Sequence, residues 1–153
     1  SSNNYGPFQF PEKLIPLFVT NLILGRNVPL YGDGLNVRDW TYVEDNCAAV
    51  DLVFRQGGIG EIYNIGAGNE VPNREIVDRI LALSGADESR IDYVADRLGH
   101  DRRYSVDCEK VRALGWTPAH DFESAVEATV KWYHDNREWW QPLRPDATPV
   151  AAG

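Results

Sequence analysis

Strand-like runs and capped helical runs take turns along this chain, so any fold it adopts must pack helices against strands. The first helical run covers about 12–24 and is apolar on nearly every side, which calls for burial; Gly25 closes it. Pro16 falls inside this run without breaking it, because a residue in the first turn has no intrahelical N–H bond to lose. Val28 to Tyr31 and Leu35 to Val43 are strand-like, and Asp33-Gly34 between them predicts a hairpin. Glu44-Asp45 opens a helix running to about Arg55, its acids set against the helix dipole, and Gly57-Gly58 stops it. Glu61 to Ile65 reads as a short strand. Asn73 is expected to cap a helix whose apolar face is Ile76, Val77, Ile80, Leu81 and Leu83, ended by Gly85. Ile91 to Ala95 is a further strand. Asp107 caps a short helix that Gly115 ends. Asp121 caps the last helix, with Phe122, Ala125, Val126, Thr129, Trp132 and Tyr133 on one face. At helical spacing this face, with Trp139 and Trp140 behind it, is expected to seal a core rather than stack a ligand. Ser2 to Gln9 reads as a loop, and Pro145 to Gly153 as a disordered tail.

Composition narrows the function. The chain has 153 residues, enough for one domain with a modest core. Lys and Arg number 15 against 23 Asp and Glu, a net charge of −8, which argues against nucleic acid as a partner. No apolar run reaches the roughly 20 residues of a membrane span, and the first residues do not form a signal peptide. Methionine is absent, so either the start was processed or the chain is a piece of something larger. Cys47 and Cys108 stand far apart with no ligand-like neighbours; buried free thiols in a reducing cytoplasm are expected, and no metal spacing exists.

Against that acidic background Asp96 to Tyr104 stands out, with Arg97, His100, Arg102 and Arg103 in seven residues around Gly99. Guanidinium groups bind phosphate in a fork, so the cluster is either an anion site or a solvated loop paired with acids. Gly66-Ala67-Gly68 is a turn and not a dinucleotide loop. Val71 holds the third glycine position, Pro72 intervenes before the helix, and no acid follows about 20 residues on. His120 and His134 are expected at the surface. No serine sits in a nucleophile elbow, and there is no Tyr-x-x-x-Lys. Asn3, Asn4, Lys13, Tyr31, Arg38, Asn73, Arg97 and His100 recur at the ends of separate elements, where sites are built. Cations, amides and an aromatic ring together suit a nucleoside diphosphate.

Several of these stretches resemble the dTDP-glucose 4,6-dehydratases of the extended short-chain dehydrogenase/reductase family. They are Ser2-Asn3-Asn4-Tyr5-Gly6-Pro7 through Pro16, Val28 to Gly34, Val37-Arg38-Asp39-Trp40, Tyr63-Asn64-Ile65-Gly66 and Asp96 to Tyr104. The segment from Phe10 to Pro16, with Arg97-x-Gly99-His100-Asp101, is the more specific part. The resemblance implies an α/β fold of the NAD-dependent epimerase/dehydratase type. It would be a C-terminal nucleotide-sugar-binding portion over about 1–144 that partly completes a Rossmann-type sheet and lacks most of the Rossmann domain. In that family Asn3 would touch the sugar nucleotide, and Asn4 would lie beside NAD. Lys13, Leu14, Ile15, Pro16, Leu17 and Phe18, with Pro29, Leu30 and Tyr31, would line the nucleotide pocket. Arg38 and Arg97 would grip the diphosphate, and Asn73, Asp96 and His100 would complete the site. Leu98 stands where the family usually has Pro, so this loop should be less preorganised.

The family oxidises the sugar at C4 with NAD, eliminates water across C5–C6 and returns hydride to C6. Its Gly-rich cofactor loop, Tyr-x-x-x-Lys pair and acid–base carboxylates find no counterpart in this sequence. The chain is therefore expected to bind part of dTDP-glucose without turnover, in the cytoplasm. Most of the NAD site, and the helices of a homodimer, would lie upstream of Ser1. A fragment of another nucleotide-sugar epimerase or decarboxylase, and a stand-alone nucleotide-sugar-binding module, are the alternatives.

Overall fold

The computed structural model describes residues 1–96 and 98–144. Arg97 and the 145–153 tail therefore lie outside the described residues. The elements run β1 (Asn3–Tyr5), α1 (Leu14–Ile23), β2 (Val28–Tyr31), β3 (Val37–Tyr42), α2 (Val43–Gln56), β4 (Glu70–Pro72) and α3 (Asn73–Leu83). They continue as β5 (Ile91–Val94), β6 (Arg103–Tyr104), α4 (Glu109–Arg112), α5 (Phe122–Asp135) and α6 (Arg137–Trp140).

Two small sheets organise them. β3 pairs in parallel with β1 and β6 and antiparallel with β4, while β2 pairs in parallel with β5. The expected hairpin does not form, since β2 and β3 belong to different sheets. Arg38 to Tyr42 are buried without interruption. Such a run needs partners on both edges and cover on both faces, which a hairpin alone cannot supply. Gly32 and Gly34 both have positive φ, and Asp33 Oδ1 accepts from Leu35 N at 2.8 Å, so the turn carries the chain from one sheet to the other.

Other expectations shift for local reasons. Asn3–Tyr5, read as loop, becomes a strand because it pairs with the buried β3, which overrides the turn preference of the asparagines. Glu61 to Ile65 is not a strand; its contact with the chain start is the bond from Ser2 N to Ile65 O. The strand after α2 forms later, at Glu70–Pro72. Helix α1 begins after an extended Lys13, which puts Pro16 third, and Leu17 N closes the first turn on Lys13 O at 2.8 Å. Asn73 does not cap α3: Pro72 is the cap, and Asn73 is the first helical residue. Asp121 does cap α5, accepting from Ser124 N at 3.0 Å.

The main core joins α1, α3 and α5 to the strands through Tyr5, Phe18, Val19, Leu30, Trp40, Ile76, Ile80, Val126, Tyr133 and Trp140. The last helical face seals this core, as its spacing predicts. A smaller cluster of Ala49, Ile65, Cys108, Val111 and Trp116 holds α2 to α4. Cys108 is buried but Cys47 is exposed, against expectation. It lies two positions from each of the buried Asp45 and Ala49, about 200° around the helix, which turns it to the far side of α2. His120 and His134 are both exposed, as expected, and His120 is bonded through Nδ1 to the buried Asp45 at 2.9 Å.

Candidate functional site

A cavity of about 380 Å³ opens between the two sheets and α1. Asn3 of β1 lines it, as do Lys13, Leu14, Leu17 and Phe18 from the start and first turns of α1. Pro29, Leu30 and Tyr31 of β2 form another wall. Arg38 on β3, Asn73 at the start of α3 and His100 from the basic loop complete it. Six separate segments thus deliver the polar groups to one place. This is the arrangement expected of a site built at the ends of elements.

The local chemistry of each group follows from its position. Arg38 is only 8% exposed, and its Nη1 donates to the Val37 carbonyl at 2.7 Å, which holds the guanidinium in against the strand. Lys13 is well exposed and paired with Glu12 at 2.8 Å. His100 Nδ1 lies 2.6 Å from Asp96 Oδ1, and its ring meets Tyr31 edge-on at 6.4 Å. Asp96 does not line the cavity; it packs on Gly32, where a Cβ would come within 3.2 Å of its carboxylate. Asn73 Oδ1 is buried without a hydrogen-bond partner, an acceptor available to a ligand donor.

Ile15 and Pro16 are not among the lining residues. Both are buried, and Ile15 belongs to the main core. Asn4 borders a second, smaller cavity of about 230 Å³ with Tyr5, Gly6, Pro7, Phe8, Gln9 and Val43. Its Oδ1 is buried and unpaired, and its carbonyl accepts from Gln9 Nε2 at 2.7 Å. Burial pushes the Tyr133 hydroxyl far above its ordinary pKa, so it stays protonated and donates to Gln9 O at 2.6 Å. Burial likewise raises the Cys108 thiol, away from thiolate chemistry.

Two lining residues escape the sequence reading, Glu12 and Trp40. Trp40 carries a usable signal: with period 2 along a strand it shares a face with Arg38. The opposite face of β3 builds the Gly66–Asn69 turn. Asp39 Oδ1 accepts from Gly68 N at 2.9 Å and Asn69 N at 3.0 Å, and Thr41 Oγ1 from Ala67 N at 2.9 Å. This turn leads into β4, and the N–H groups of Ala67, Gly68 and Asn69 are already engaged within the fold, so they are not available to cradle a dinucleotide's phosphates.

The family model described as GDP-mannose 4,6 dehydratase matches residues 1–129. The dTDP-glucose 4,6-dehydratase of Streptomyces antibioticus is 53% identical over 158 residues, covering 99% of this chain and 47% of that protein. dTDP-glucose 4,6-dehydratase 1 of Escherichia coli (strain K12) is 49% identical over 154 residues, covering 95% of this chain and 43% of that protein. DesIV, the dTDP-glucose 4,6-dehydratase of Streptomyces venezuelae solved with NAD and TYD bound, superposes with a TM-score of 0.91 at 53% identity, over 94% of this chain and 45% of that one. The chain thus spans under half the length of the relatives it matches, their C-terminal portion. It belongs to the GDP-mannose 4,6 dehydratase family, and within it stands with the dTDP-glucose 4,6-dehydratases.

Proposed function

We propose that this chain is the nucleotide-sugar-binding part of a dTDP-glucose 4,6-dehydratase. The observation that carries the reading is Arg38, a nearly buried guanidinium on the wall of a cavity that also holds Lys13 and His100. A guanidinium presents a planar fork of donors, which matches the oxygens of a diphosphate. In this reading Arg38 and Arg97 hold the diphosphate, and Asn3 meets the sugar. Tyr31, with Pro29, Leu30, Leu14, Leu17 and Phe18, walls the nucleoside. Asn73 accepts from a ligand hydroxyl, Asp96 orients His100, and Ile15 and Pro16 back the α1 wall from the core side. The relatives' reaction removes water from the sugar, a lyase reaction.

NAD, bound in the relatives' structures, supplies hydride acceptance and return. Among the described residues no loop suits its phosphates, and Asn4, with its unpaired Oδ1 at the second cavity, is the candidate contact. The remainder of the longer protein would hold NAD and the acid–base groups, so this chain alone would not turn over; a homodimer would be built there as well. Two free cysteines suit a cytoplasmic setting.

The test is product formation. A polypeptide joining this chain to its NAD-binding part, given NAD and dTDP-glucose, should yield a 4-keto-6-deoxy sugar, and the isolated chain none. An epimerase reading draws on the UDP-glucose 4-epimerase of Thermotoga maritima, which superposes with a TM-score of 0.81 at 30% identity. Tighter binding of UDP than of dTDP would favour it.

A further inference from the structure

Asn36 is 2% exposed, sits just before β3 and is not a lining residue of the cavity. It is nevertheless bonded to two of the cavity's walls. Its Nδ2 donates to Asp101 O at 3.2 Å, next to His100 in the basic loop. Its own carbonyl accepts from Asn73 N at 3.0 Å, at the start of α3. The following residue extends the tie, Val37 N donating to Arg102 O at 2.8 Å. The loop's side-chain links are more exposed: Arg102 to Asp33 at 2.9 Å is an ion pair between two largely solvated groups, and such pairs hold little.

We propose that Asn36 is a positioning residue for the nucleotide-sugar site. One side chain and its backbone set the spacing of His100 and Asn73, with Arg38 two positions on, in β3. A ligand that reaches from the phosphate end to Asn73 then depends on a residue it does not touch. The choice of amide follows from the chemistry. Facing a carbonyl oxygen, only a donor is tolerated, and an isosteric carboxylate would set two acceptors against each other. This inference rests on the reading of the cavity as a diphosphate site.

The experiment titrates dTDP into the chain by calorimetry, with thermal unfolding recorded for each variant. Asn36→Asp is expected to weaken dTDP binding about tenfold, while Asp33→Asn, which removes only the exposed partner of Arg102, leaves it unchanged. Equal affinity of Asn36→Asp and wild type overturns the inference. Should Asn36→Asp not fold, hydrogen exchange in the wild type decides. Adding dTDP is expected to slow exchange at Val37 N and Asn73 N together, and protection of Asn73 alone overturns the coupling. A wild-type chain that gives neither heat nor protection with dTDP overturns the diphosphate reading itself, and this inference with it.

Discussion

Arg38 shows how much one residue depends on its strand. Its Cα lies in the ladder opposite Val71 and Tyr104, its guanidinium donates to the carbonyl of Val37, and its head stays on the cavity wall. Arg38→Lys keeps the charge but loses the fork, so dTDP affinity should fall about 10- to 100-fold, read by calorimetry. Gly66 is a second position with no freedom. A Cβ there would lie 2.2 Å from Asp39 Oδ2 and 3.2 Å from Cys108 Sγ. Gly66→Ala should therefore cost roughly 1–3 kcal/mol in urea unfolding, because the buried carboxylate has nowhere to go. The nature of the site groups is legible in the sequence, where amides, cations and Tyr31 stand at element ends. The role of Asn36 is not, because a buried backbone tie leaves no compositional mark.

Among elements, the helices were the readable part. α3 buries Ile76, Val77, Ile80 and Leu81 of its expected face but leaves Leu83 exposed; α5 buries Ala125, Val126, Thr129 and Tyr133, and Trp140 closes the core behind it. Strand pairing was not readable, since Asp33-Gly34 looks like a hairpin turn and yet joins two sheets. Nothing local says that β2 will prefer β5, some sixty residues away. β6 is the shortest strand, and an ion pair ties it to the start of β4. Arg103 makes two bonds of 2.7 Å to Glu70, and Ser105 adds one of 2.8 Å. These bonds hold the Glu70 carboxyl below its ordinary range. Since the folded pKa is depressed, this stabilisation is present above the ordinary glutamate value and is lost as pH falls through the folded one. Urea midpoints of wild type and Glu70→Gln should differ at neutral pH and converge in acid. A constant gap would contradict the link.

At the scale of the whole molecule, the main core takes Trp40 and Tyr42 from β3, and several large apolar side chains stay exposed, Val50 and Phe54 of α2 among them. Phe54 near the end of α2 is 88% exposed, and Ile62 is 81% exposed. Large apolar groups in contact with water mark an interaction surface. The isolated chain is expected to self-associate by light scattering, and Phe54→Ser with Ile62→Ser to lower that association; a clean wild-type monomer would contradict it. A crystal structure of the chain with dTDP decides whether the cavity between the sheets is a nucleotide diphosphate site. The diphosphate is expected against Arg38 and the base near Tyr31; dTDP bound elsewhere, with Arg38 untouched, rules the site out.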